Sequence, residues 1–204
     1  MSKNLEELMK MPSSSSMVKL ALGVIAFVSF IGIACISAGG EQKGERQYII
    51  PSSGLLKLDV PKSWRHEVRL PPEFLYLMPT ITFKPELDDS FSVKITVFCN
   101  IRREADFNSP EKIRHLIEQR GKDVLLGSEE TELKLQELQG TSSSGYFFMA
   151  TDKTPEPVEY KYMTQGGLGA GDLLLFFTIL TNTKDSEVLI EALEMLKNAK
   201  QELK

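Results

Sequence analysis

Tryptophan, histidine and cysteine are scarce: 204 residues hold one Trp, two His and two Cys. The histidines, His66 and His115, lie in separate segments, and neither has a Cys or His at ligand spacing, so no zinc motif is present. Cys99 is the only cysteine outside the apolar N-terminal stretch, which excludes a disulfide within the remainder of the chain. No Gly-x-Ser-x-Gly elbow occurs, and no glycine loop carries a Walker lysine. Long uncharged runs are also missing, with one exception, and that excludes a multi-span membrane protein. A net charge of −4 gives no electrostatic reason to expect nucleic-acid binding.

The exception decides how the rest is read. Residues 1–19 are a short polar segment with the tract Ser13–Ser16. Between Lys19 and Glu41 no charge appears, and residues 20–38 read LALGVIAFVSFIGIACISA. At about 1.5 Å per residue, 19 residues of helix reach roughly 28 Å, close to the roughly 30 Å hydrocarbon core of a bilayer. A lone segment in lipid must satisfy its own backbone, so the run is expected to be a helix. Three fates stay open: an uncleaved transmembrane signal anchor, a signal peptide cut after Ala38, or a lipoprotein precursor lipidated at Cys35. Gly32-Ile33-Ala34-Cys35 is similar to a lipobox, departing from it at Gly32. An in-frame Met17 would give a short basic leader running straight into the run. The folded mass lies after it, which predicts a single-pass protein with its C-terminal domain extracytoplasmic, in the periplasm or at the cell exterior.

Three lysines and two glutamates precede residue 41, leaving 21 basic and 26 acidic residues beyond it, net −5. Residues 39–47, polar and interrupted by glycine, read as a linker; 48–204 read as the folded domain. Leu56, Leu58 and Val60 alternate with Lys57 and Asp59 as a half-buried strand ending at Pro61. Trp64 follows the turn Pro61-Lys62-Ser63 as a core residue, and 66–70 and 80–84 are further strands. Phe91, Val93, Ile95, Val97 and Cys99 alternate along the clearest strand, making Cys99 a small buried hydrophobe. Lys94 and Thr96 occupy its other face, so at least part of that face is solvated or covered by a polar helix.

Asn108-Ser109-Pro110-Glu111 opens a helix with the stripe Ile113, Leu116, Ile117, stopped at Gly121. Leu133 to Leu138 suggest a strand, 141–145 a loop, 146–150 and 158–163 strands. The glycine run 166–171 reads as a hairpin connection, since a strand and not a helix follows it at 173–180. Asp185 caps a last helix bearing Leu189, Ala192, Leu193 and Leu196. The fold class is α+β: an antiparallel sheet covered by helices.

The segment Val60-Pro61-Lys62-Ser63-Trp64 resembles the opening strand, proline, small turn and tryptophan of the PsbP-like proteins, which include the Mog and DcrB families. The order that follows over residues 48–200 is similar as well: the helix at 109–121, the aromatic strand 146–150, the glycine turn, Leu173–Leu180 and a closing helix. The resemblance implies an α/β/α sandwich and a non-catalytic role in binding or assembly. No photosystem-binding residue or ion site of PsbP maps onto this chain.

The functional expectation is therefore a membrane-tethered binding or assembly module, with no catalytic, metal or cofactor residues. Its partners would be the bilayer, through residues 20–38, and a membrane or envelope protein. The alternative is a small exported hydrolase or ligand-binding enzyme whose site assembles from scattered residues such as His66, Glu67 and Asp172. The acids Glu86, Asp88 and Asp89 read as a solvated turn.

Overall fold

The computed structural model describes residues 43–70 and 78–203; the apolar run, Cys35 and the break at Pro71-Pro72 lie outside the described residues. Among the described residues no helix is long and apolar enough to cross a membrane.

The first element corrects the linker. Lys43–Ile50 is a strand, β1, paired antiparallel along its whole length with β2, Gly54–Pro61. Glycine does not loosen it, because Gly44 sits where a side chain would meet nothing within 4 Å, on an open strand end. Tyr48 and Ile50 turn inward, as do Leu56, Leu58 and Val60 of β2. The hairpin closes at Pro51-Ser52-Ser53, where Ser52 (φ 62) and Gly54 (φ 86) take the left-handed conformation. At Gly54 this suits glycine, and a Cβ there would also collide with the carbonyl of Glu202. A short strand absent from the sequence reading, Lys200–Glu202, pairs with the other edge of β2. We number it β10.

The larger sheet has seven strands, all antiparallel: β3 (Trp64–Arg69), β4 (Thr80–Pro85), β5 (Phe91–Cys99), β6 (Gln136–Gln139), β7 (Ser143–Thr151), β8 (Tyr162–Ala170) and β9 (Leu173–Thr181). Their spatial order is β3-β4-β5-β9-β8-β7-β6. Register aligns Ile81, Ile95, Phe177, Gly166 and Phe147 in one row across the inner face. Gly166 is required there, because the Phe177 ring fills the space its side chain would take. Several boundaries differ from the sequence reading, among them the strand expected from Leu133, which begins only at Gln136. The 141–145 loop shrinks because Ser143–Gly145 already belong to β7. Residues 158–161 are not strand. Most of the glycine run lies inside β8, leaving Gly171 (φ 58) for the turn.

The reason glycines populate a strand is the helix above them. Helix α1, Pro110–Leu125, lies on β7 and β8, and a Cβ on Gly167 would sit 3.2 Å from both Ile113 and Ile117. Gly121 does not stop α1; it makes room for Leu133, and the helix runs four residues further. Its cap is Ser109, whose hydroxyl accepts from Lys112 N–H, while Asn108 donates instead to the carbonyls of Gly171 and Leu173 at 2.7 and 2.9 Å. Helix α2, Glu187–Lys197, is capped by Ser186, not Asp185, which takes φ 52. Leu189, Ala192, Met195 and Leu196 of α2 share one buried cluster with Leu168, Phe177 and the β1–β2 residues. Gly167 and Leu168 are consecutive in a strand, so α1 and α2 cover opposite faces. The result is α+β, antiparallel sheets with two helices among the described residues, and the inner layer combines α2 with the three-stranded sheet. Trp64 is core as expected, 2% exposed, with its ring 4.8 Å from Phe91.

Candidate functional site: an uncovered polar sheet face

Helix α1 covers β7 and β8, and among the described residues no helix lies on the other half of the same face. Register defines what that half presents. One row runs Glu67, Thr82, Lys94, Thr178, Gln165; the next runs Arg69, Thr80, Thr96, Phe176, Gly167. Both lie on the side opposite Phe83, Ile81 and Ile95, since successive strand residues alternate faces. Arg65 and Lys84 form a pair in the row beyond.

The charges on this half are distributed unevenly. Arg65 and Lys84 share one carboxylate, that of Asp89, at 3.6 and 2.8 Å. Arg69 meets Glu67 at 3.4 Å. Lys94, exposed in the middle of the sheet, has no ion-pair or hydrogen-bond partner among the described residues. Four cations thus face two carboxylates on a domain that is acidic as a whole. Thr80 and Thr96 hydroxyls bond each other at 3.2 Å, and Gln165 donates to Thr178 at 3.1 Å. The amide oxygen of Gln165 is buried without a partner at the border with α1.

The scattered residues of the enzyme alternative are not brought together. His66 and Glu67 are consecutive on β3 and point to opposite faces. Glu67 pairs with Arg69, and Asp172 sits in the β8–β9 turn with its N–H on Gln201. His66 faces β1, where Arg46 stands 2.6 Å from its Nδ1 and also donates to the Trp64 carbonyl at 2.7 Å. Burial lowers the His66 pKa below 6.5, and the Arg46 charge adds to this. Tyr48, edge-on to His66, has its hydroxyl buried, and its pKa is pushed up to about 12 by burial, with Arg46 pulling the other way. Cys99 is buried and its thiol is raised by burial, the reverse of an activated nucleophile. His115 is exposed, 3.0 Å from Gln119.

Among the described residues no group of three or more His, Cys, Asp or Glu side chains converges as a metal site. Asp88 holds the Ser90 N–H and Asp89 the two cations above, so the acidic turn is internally engaged. A shallow polar groove of about 310 Å³ lies at the other end of the sheet, lined by Asn108, Gln139, Thr141, Ser142 and Ser144 with glycines between. No charged side chain lines it. Its Ser143 hydroxyl is already committed to the Lys197 carbonyl at 2.8 Å, tying the loop to α2.

Of the residues on the uncovered half, the sequence pattern identifies Lys94 and Thr96. Arg65, Arg69, Lys84 and Thr178 are not recognisable beforehand, because only strand order and register bring them beside Lys94.

No protein-family model matches the chain, and no curated protein does. The chain is similar to the solution structure of cyanobacterial PsbP (CyanoP) from Synechocystis sp. PCC 6803, with a TM-score of 0.47 and 9% identity over 83% of this chain and 99% of that one. That is the family whose pattern the sequence resembles. No residue role transfers at this identity.

Proposed function

We propose that the chain is a membrane-tethered, extracytoplasmic binding or assembly module without catalytic activity or cofactor, and that the uncovered half of its large sheet is the docking surface. The observation that carries this reading is Lys94, a cation without an ion-pair or hydrogen-bond partner among the described residues, in the centre of a sheet half that no described helix covers. Sheets with one polar face turned to water are common, but a half-covered face with a helix on only two of its strands leaves a bounded, flat area. The apolar run at 20–38 supports the tether, and a tether raises the effective concentration of the domain near membrane partners without any new contact.

Two measurements test the reading. Fractionation with intact mass separates a retained helix, a lipidated Cys35 and a cleaved product; recovery of the unprocessed chain as a free monomer from the soluble fraction contradicts the tether. Light scattering of the chain extracted in mild detergent tests docking. The expected mass exceeds that of the chain, and Thr96→Arg with Thr178→Arg returns it to that of the chain alone. A complex unaffected by this pair of substitutions removes the sheet face from the account.

A further inference from the structure

The area that no helix covers among the described residues has the width of a helix. Strands β3, β4, β5 and β9 are separated by three gaps of about 4.8 Å, roughly 14 Å in all, and an α-helix with side chains is about 10 Å across. Beside it stands α1, whose orientation is set by two contacts. Arg114 lies over the Tyr146 ring on β7, and Gly121 abuts Leu133, which leads towards β6. At 100° per residue the opposite flank of α1, towards β9, then carries Leu116 and Arg120. Among the described residues Arg120 Nε is buried without a partner, as is the amide oxygen of Gln165 on β8. One donor and one acceptor along the border between α1 and the uncovered area are thus available to a polar group that enters there.

Resting on the docking reading above, we propose that this area is a berth for one α-helix of a partner protein, lying beside α1 and presenting acidic residues to the sheet. Charge complementarity selects the partner. Arg65, Arg69, Lys84, Lys94 and Arg120 outnumber Glu67 and Asp89 on a domain of net −5, so a basic helix is repelled locally and an acidic one is drawn in. Phe176, half-buried between Thr96 and Gly167, gives the incoming helix an apolar contact at the centre. The step geometry argues against a lipid surface as the occupant. A planar bilayer resting on α1 would stand about one helix diameter above the strands, whereas a single helix fits down beside α1.

The test places a benzoylphenylalanine photocrosslinker at position 96 of the full chain in its native membranes and sequences the linked peptide. The expected product is a protein adduct on a helical segment carrying Asp or Glu. Its yield should fall at least tenfold with Lys84→Glu and Lys94→Glu together and stay within twofold with Lys200→Glu on the distant small sheet. Unchanged thermal midpoints of the two variants exclude misfolding as the cause. An adduct on a neutral or basic segment, or a yield indifferent to charge reversal, overturns the acidic helix while leaving docking on this face intact. A lipid adduct, or no protein adduct at position 96, overturns both.

Discussion

Arg46 of β1 reaches Nδ1 of His66 on β3 at 2.6 Å and joins the small sheet to the edge of the large one. Arginine only donates, so Nδ1 accepts and the ring proton belongs on Nε2. The fold therefore holds the neutral imidazole, and the His66 pKa lies below 6.5, through burial first and the Arg46 charge second. The contribution of this contact is full above pH 6.5 and is lost as the pH falls through the lowered value. Thermal midpoints measured from pH 8 to 5 are expected to drop on the acid side, and the drop should shrink in His66→Asn. In Arg46→Met the His66 resonance followed by NMR should titrate closer to 6.5. An unchanged titration would remove Arg46 as a cause.

Glycines in this domain differ in what surrounds them. A Cβ on Gly145 would run into the carbonyl oxygen of Gly167, a backbone atom that cannot rotate away, whereas one on Gly44 meets nothing. Gly145→Ala is expected to cost about 1–3 kcal/mol in urea unfolding, as overpacking does, and Gly44→Ala to stay within about 0.5 kcal/mol of the parent.

The helix caps make a similar pair. Ser186 accepts from Leu189 N–H at 3.3 Å, so Ser186→Ala should lose about 1 kcal/mol. Asp185 caps nothing and is held at φ 52, so Asp185→Gly should be neutral or slightly stabilising. A larger loss at position 185 than at 186 would restore the cap that the sequence alone suggests.

These contrasts also mark what the sequence could and could not reveal. Period-two alternation carried β2 and β5 correctly to their faces, and the Trp64 environment followed from its place after a proline-ended strand. Ser186 is not separable in sequence from Asp185, one residue earlier, because both are good cap types and only the backbone angle distinguishes them. The glycines at 121 and 166–169 misled for one physical reason. Locally they signal a stop or a turn, whereas here each serves a close approach from a distant part of the chain: Leu133, Phe177, α1 or Asn108. The linker reading of 43–47 failed likewise, since its strand is made by pairing with β2 and not by its own apolar content. The docking face was legible only at Lys94 and Thr96.

Lys94 separates function from folding. It has no ion-pair or hydrogen-bond partner among the described residues, so Lys94→Ala should leave unfolding free energy within about 0.5 kcal/mol of the parent while weakening partner association. A clear loss of stability would mean that the residue serves the fold.

Amine footprinting of the full chain tests the central claim most directly. Acetylation rates of Lys94 and Lys84 are compared between native membranes and the purified protein, with exposed Lys134 and Lys200 as internal references. The account predicts that Lys94 and Lys84 are protected in membranes and become reactive on purification, while the references react equally in both. Equal reactivity of Lys94 in the two preparations would contradict a docked sheet face.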